Sequence, residues 1–284
     1  MSTPVALQPL LSVDALRKSF GGVEAVRGVS FDVRLGQLVA LIGTNGAGKT
    51  TTFNCINGQL RPDSGKVFYN AGALTTEERM ALEQAGEIAK HPTQNRSDDN
   101  ITGRPPRRIT KLGIGRTFQI TATFASMTVL ENIQMVLIAQ RKKWRRLWGV
   151  AGDLYREEAF SHLETVGLAA QGHRHVATLA YGDLKRLELA MALACQPKLL
   201  LMDEPTAGMG IGERDDLMRL THTIARKKRI GVLFTEHDTD AIFNYADWII
   251  VMHRGEVLAK GTSDSIKNNV TVREAYLGKG NDHA

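Results

Sequence analysis

Two cysteines, Cys55 and Cys195, are all that the 284 residues contain, and neither has the spacing of a metal or redox motif. Both read as core filler, as expected in a reducing compartment. No apolar run approaches the roughly 20 residues that a membrane helix needs, so the chain is not expected to span a bilayer by itself. Met1 to Leu11 has neither the basic start nor the apolar block of a signal peptide, which argues for a cytoplasmic location. What is present is ordinary: 43% hydrophobic and 23% charged residues, enough to bury a large core in one or two compact domains. The net charge of +6 permits nucleic acid, a membrane surface or a phosphate ligand, and does not choose among them.

The most informative stretch is Gly43-Thr44-Asn45-Gly46-Ala47-Gly48-Lys49-Thr50-Thr51, which fits the phosphate-loop pattern G-x-x-x-x-G-K-[ST]. The apolar run Leu38 to Ile42 before it reads as a buried strand. Glycines at 43, 46 and 48 let the backbone curl with no Cβ in the way, so that N–H groups point at phosphate oxygens. A helix opening at Lys49 favours negative charge at its N-terminus. Lys49 is placed for the β- and γ-phosphates and the Thr50 hydroxyl for Mg²⁺.

Strands are predicted at Leu11–Leu16 and Val29–Leu35, with a turn at Phe20-Gly21-Gly22 between them. A helix from about Gly48 to Asn57 leads through Pro62-Asp63-Ser64-Gly65 to a short strand at Lys66–Tyr69. Residues 71–110 break the rhythm: Thr75 can cap a short helix to about Lys90, but His91 to Arg108 is polar, and the whole reads as a partly loose surface insertion. Order resumes at Leu112 to Gln119. Thr128 and Glu131 then form a capping-box pattern that starts a helical block running to about Leu168. Inside it, Arg141-Lys142-Lys143-Trp144-Arg145-Arg146-Leu147-Trp148 suits lipid headgroups, a membrane partner or nucleic acid, and equally a solvated helix end.

The second half alternates: a helix at Asp183–Ala194, a strand at Leu199–Met202, a helix at Gly212–Lys227 and a strand at Gly231–Thr235. A short helix near Ala241 and strands at Asp247–Met252 and Glu256–Lys260 follow. Alternation of this kind implies a parallel sheet with helices on both faces. Gly43, Asp203-Glu204 and Glu236-His237 all follow apolar strand runs, so all are expected on the carboxyl rim where such sheets bind ligands.

There Asp203 can hold Mg²⁺ opposite Thr50, and Glu204 can take a proton from an attacking water. Gln119 can offer the metal an amide oxygen, and His237 a hydrogen bond to the γ-phosphate. Leu179-Ala180-Tyr181-Gly182-Asp183, just ahead of an amphipathic helix, offers a second N-terminus for phosphate.

This order of pieces resembles the ATP-binding subunits of ABC transporters over about residues 11 to 278. Asn132 after Thr128-Val129-Leu130-Glu131, Leu179-Ala180-Tyr181-Gly182, Arg186-Leu187-Glu188 and Ala275-Tyr276-Leu277-Gly278 look like the branched-chain amino acid importers, whose features urea and amide importers share. The resemblance implies an α/β fold with a phosphate-loop NTPase core, an antiparallel β subdomain and a helical subdomain at about 120–195. It implies a single domain over 11–278, an insertion at about 71–110, and flexible ends at 1–10 and 279–284. It also implies Mg-ATP hydrolysis, Phe20 stacked on adenine, Gln119 coupled to the membrane subunit and His237 as a switch histidine. Residues 179 to 183 would contact ATP held by a second ATP-binding subunit, identical or related.

Membrane-spanning permease subunits and, indirectly, a periplasmic solute-binding protein are the implied partners, with the chain on the cytoplasmic face of the inner membrane and no role for nucleic acid. Two departures stand out. Asp183 replaces an amide and would repel phosphate unless its side chain points away, and Gly210 stands where the family has an acid or amide. A soluble relative acting on DNA or ribosomes would need sustained heptads or a second phosphate loop, and neither is present. A non-catalytic subunit would fit Asp183 and Gly210, but Lys49, Glu204 and His237 are all retained.

Overall fold

The computed structural model of the chain describes residues 9–70, 72, 99–117, 123–141 and 154–277. Its centre is a six-stranded sheet in the order β5-β6-β7-β3-β8-β9, made of β3 (Leu38–Gly43), β5 (Ile114–Thr117), β6 (Leu199–Asp203), β7 (Gly231–Thr235), β8 (Trp248–His253) and β9 (Glu256–Gly261). All neighbours pair in parallel except β9, which returns antiparallel to β8. β3, β6 and β7 are buried at every position, as strands covered on both faces must be, and this is why they read as unbroken apolar runs.

Successive side chains point to opposite faces, and two cores result. Leu38, Ala40, Ile42, Leu200, Met202, Val232 and Phe234 face one. There they meet α3 (Val129–Gln140), α4 (Arg156–Val166), α5 (Tyr181–Ala194) and α6 (Ile211–Lys228). Val39, Leu41, Leu199, Leu201 and Leu233 face the other, with Phe53 of α1 (Lys49–Ile56) and the antiparallel sheet. That sheet has the order β2-β1-β4, from β1 (Leu11–Phe20), β2 (Val23–Val33) and β4 (Ser64–Tyr69).

β1 and β2 extend beyond their predicted ends and meet across Gly21 and Gly22, both at positive φ. Two positive-φ residues are what a two-residue hairpin with matching twist requires. The outer half of this hairpin mixes charged residues with exposed Phe20 and Val23, buries Val26, and has its backbone ladder joined by ion pairs of Arg17 and Arg27 with Glu24 and of Lys18 with Asp63.

The capping box at Thr128 forms as predicted: the Glu131 amide donates to Thr128 Oγ1 at 3.2 Å and the Thr128 amide to Glu131 Oε2 at 2.7 Å. Asn132 on the same helix is fully buried and ties down the segment before it, donating to the carbonyls of Phe124 and Thr128 and accepting from the Phe124 amide.

The partly loose insertion expected over 71–110 is ordered at its end. Asn100 bridges to Phe68, the Ile101 amide donates to the Val67 carbonyl at 2.9 Å, and Ile101 and Ile109 are buried. Ile109 lies on α2 (Pro106–Lys111), whose start at a proline is favourable because its N–H is not needed there. Few apolar residues suffice because two of them reach the core. The remainder of the insertion, including the predicted helix from Thr75, lies outside the described residues. Ile109→Ala is expected to destabilise the protein by about 2–4 kcal/mol in urea unfolding, as for other buried aliphatic truncations; a change under about 0.5 kcal/mol would mean that this segment is as loose as its sequence looks.

Candidate active site

The carboxyl ends of β3, β6 and β7 lie on one rim of the parallel sheet, with Asp203 directly opposite Thr235 in register. Gly43, Asp203-Glu204 and Glu236-His237 therefore come together as the strand pattern required. Gly43, at φ 154, is packed so tightly that a Cβ would stand 2.2 Å from the Met252 carbonyl oxygen. Gly48, at φ 97, would meet the Ala25 carbonyl oxygen of β2 at 2.3 Å. Gly46, at φ 79, faces open space. Two of the three glycines thus seat the loop, Gly43 against β8 and Gly48 against β2, and the third serves its curvature.

The loop is anchored from outside. The Gly255 amide donates to the Ala47 carbonyl at 3.1 Å while the Gly255 carbonyl accepts from Arg27 of β2 at 2.7 Å. The hairpin bearing Phe20, 47% exposed, therefore runs beside the loop. Thr44, Asn45, Gly46 and Thr50 are exposed, and α1 begins with no side-chain cap and no acidic residue in its first turn. Unmet amide donors and an uncompensated helix end are what an anion site needs. Lys49 is buried and donates to the carbonyls of Gly43 at 2.7 Å and Thr44 at 3.2 Å. Burial lowers its pKa, and the nearby Glu204 and Asp203 carboxylates work against that.

Opposite the loop, Asp203 is buried, accepts from the Thr235 hydroxyl at 2.7 Å and stands 3.5 Å from the Arg116 guanidinium. Arg116 also donates to Gln59 and Asn54. Glu204 sits at φ 49, a left-handed conformation costing a non-glycine residue about 1–2 kcal/mol. Its amide is held by the carbonyl and hydroxyl oxygens of Thr235 at 3.1 and 3.0 Å. So turned, its Oε1 lies 3.0 Å from His237 Nε2. A carboxylate paired with an imidazole beside a phosphate cradle can accept and steady a proton from water. The donor set near the cradle, the Thr50 hydroxyl and Asp203, is hard oxygen, and no cluster of three His, Cys, Asp or Glu suited to a metal exists among the described residues. That fits Mg²⁺, which takes one or two protein oxygens and completes its shell with phosphate and water, better than metals needing a protein cage.

The chain matches the family described as ABC transporter over residues 26–207, and the branched-chain amino acid ATP-binding cassette transporter description over 256–282. The chain belongs to the ABC transporter family. Among its relatives, the high-affinity branched-chain amino acid transport ATP-binding protein of Salmonella typhimurium is 35% identical, over 96% of this chain and 99% of its own. The Pseudomonas aeruginosa counterpart is also 35% identical with the same coverage. A solved ADP conformation of an ATP-binding cassette of an ABC transporter superposes with TM-score 0.76 at 28% identity, covering 96% of this chain and 100% of that one. A nucleotide-free cassette gives 0.75 at 29% identity, with the same coverage. The phosphate-loop NTPase core, antiparallel sheet and helical segment are thus those of an ABC ATPase.

In this ABC cassette Leu179 to Asp183 do not bond to their own phosphate loop in the hydrogen bonds described. Tyr181 donates to the Ala207 carbonyl at 3.1 Å, and Gly182 abuts Glu213, whose carboxylate would crowd a Cβ at 2.9 Å. Asp183 accepts from Gln171 at 2.7 Å, so its carboxylate is occupied by a neighbouring turn. Gly210 begins α6 with its amide on Glu213 at 3.2 Å. Gln119 and residues 142–148 of the basic cluster lie outside the described residues. Arg141 turns to Glu158 at 2.5 Å and over the Tyr155 ring.

Nothing in the sequence marks Thr206, Thr235 or Arg116 as part of the site, and Glu236 stands out there only as a strand end. A threonine or arginine carries no signal of its own, and their partners are 30 or more residues away. Gly48→Ala should unfold at clearly lower urea than Gly46→Ala, because only the former drives a Cβ into a backbone carbonyl; equal losses would refute the packing account.

Proposed function

We propose that this chain is the ATP-hydrolysing subunit of a branched-chain amino acid importer, working on the cytoplasmic face of the inner membrane as one of two cassettes beneath membrane-spanning permeases. The observation that carries the catalytic part is the 3.0 Å pairing of Glu204 with His237 at the rim that also bears the phosphate loop. The solute is supported by the relatives' names and by the branched-chain match over 256–282.

In this reading Phe20 stacks on adenine, and the amides from Gly43 to Thr51 with the Lys49 ammonium hold the phosphates. Lys49 would exchange its two loop carbonyls for phosphate oxygens, which bear more charge. Thr50, Asp203 and Gln119 would hold Mg²⁺, which would offset the charge of the phosphates. Glu204 takes the proton of the attacking water while His237 orients it and senses the γ-phosphate. Residues 179 to 183 contact the ATP of the partner cassette through backbone amides, since the Asp183 carboxylate is already turned to Gln171. ATP closes the pair, hydrolysis reopens it, and the permease receives the motion near Gln119 and the helical segment. A periplasmic binding protein would deliver the solute.

Glu204→Gln should bind ATP normally, lose turnover by about 100-fold or more and accumulate as an ATP-bound dimer in gel filtration. Unchanged hydrolysis would sink the base assignment. ATPase activity of the reconstituted complex with its binding protein should rise with leucine, isoleucine or valine. Stimulation by urea or short amides alone would redirect the solute assignment.

A further inference from the structure

We propose that Glu236 is a positioning residue that sets the Glu204–His237 pair, an inference resting on the roles proposed for those two. Glu236 follows β7 directly and is only 3% exposed. A carboxylate is costly to bury unless donors saturate it. Here the Thr206 amide and hydroxyl donate to Oε1 at 2.8 and 2.6 Å, and the His237 amide lies 3.1 Å from Oε2. One oxygen grips the chain two residues past Glu204, and the other grips the backbone of the histidine.

These contacts close a ring. From Glu204 the chain runs through Pro205 to Thr206, crosses to Glu236, passes to His237 and returns through the 3.0 Å contact between His237 Nε2 and Glu204 Oε1. Pro205 stiffens one side of it. Thr235 holds the amide of Glu204 from within, so the left-handed backbone at Glu204 is fixed on both sides. The ring sets where the carboxylate and imidazole stand relative to one another without using the phosphate loop. Turnover therefore depends on it, while ATP affinity rests mainly on the loop amides and Lys49, which lie outside it.

A glutamine at 236 has one acceptor oxygen and one donor group, so it cannot accept at both arms. An aspartate is a methylene too short to span them. Glu236→Gln in the full-length chain should lower kcat by about 10-fold or more while the Kd for ATP stays within about twofold. Combining it with Thr206→Val should cost no more than the worse single change, because either one opens the same ring. If Glu236→Gln fails to fold, Thr206→Val carries the test: kcat about fivefold down at wild-type ATP affinity, with turnover recovered in Thr206→Ser, which keeps both donors.

Wild-type kcat in the folded variant, beside a Glu204→Gln that has lost turnover, would overturn the positioning role and leave the catalytic reading standing. Parallel losses of kcat and ATP affinity would also overturn it, as the mark of general destabilisation. Wild-type turnover in Glu204→Gln itself would instead remove the reading beneath it.

Discussion

Because β3, β6 and β7 run parallel with both faces covered, their backbone groups must pair within the sheet, with one another and with the flanking β5 and β8, and that pairing decides where the groups at their carboxyl ends stand. Asp203 lies opposite Thr235, so one hydroxyl can donate to the Asp203 carboxylate and accept from the Glu204 amide. A one-residue slip would turn Asp203 and Thr235 to the opposite faces of the sheet and dismantle the site. The two hydrophobic cores, divided by alternate residues of these strands, make such a slip prohibitive.

On that rim the electrostatics are arranged in opposition. Lys49 is buried against loop carbonyls, with two acids near enough to support its charge. Asp203 is buried between a hydroxyl and the Arg116 guanidinium. Glu204 and His237 are more open to solvent, which suits groups that must meet water and exchange protons. Loop curvature comes from glycines, but at 43 and 48 the decisive matter is approach: neighbouring carbonyls occupy the space a Cβ would need.

The helical segment lies on the other core and carries the N-terminus of α5. Its contacts there run to Ala207, Glu213 and Gln171. The unusual Asp183 is accommodated because the neighbouring Gln171 amide donates a hydrogen bond to its carboxylate. Gly210 leaves its backbone to Glu213, which also limits the space at Gly182.

The phosphate loop, the strand-borne acids, the capping box at Thr128 and the parallel sheet were legible because each is local: residue types at fixed spacing with periodic burial around them. The outer half of the first hairpin was not, since Phe20 and Val23 are exposed and only Val26 is fully buried, so its pairing rests on a ladder and charges more than on apolar alternation. The end of the insertion was not, because Ile101 and Ile109 alone carry its burial. The sequence by itself determined which chemistry is on offer: the phosphate-binding loop, the acids and histidine beyond buried strands, and the family that owns them. Only the tertiary structure decided how they act together. The left-handed Glu204, its contact with His237 and the bracket of Thr206, Glu236 and Thr235 depend on groups 30 or more residues apart, which no local pattern encodes.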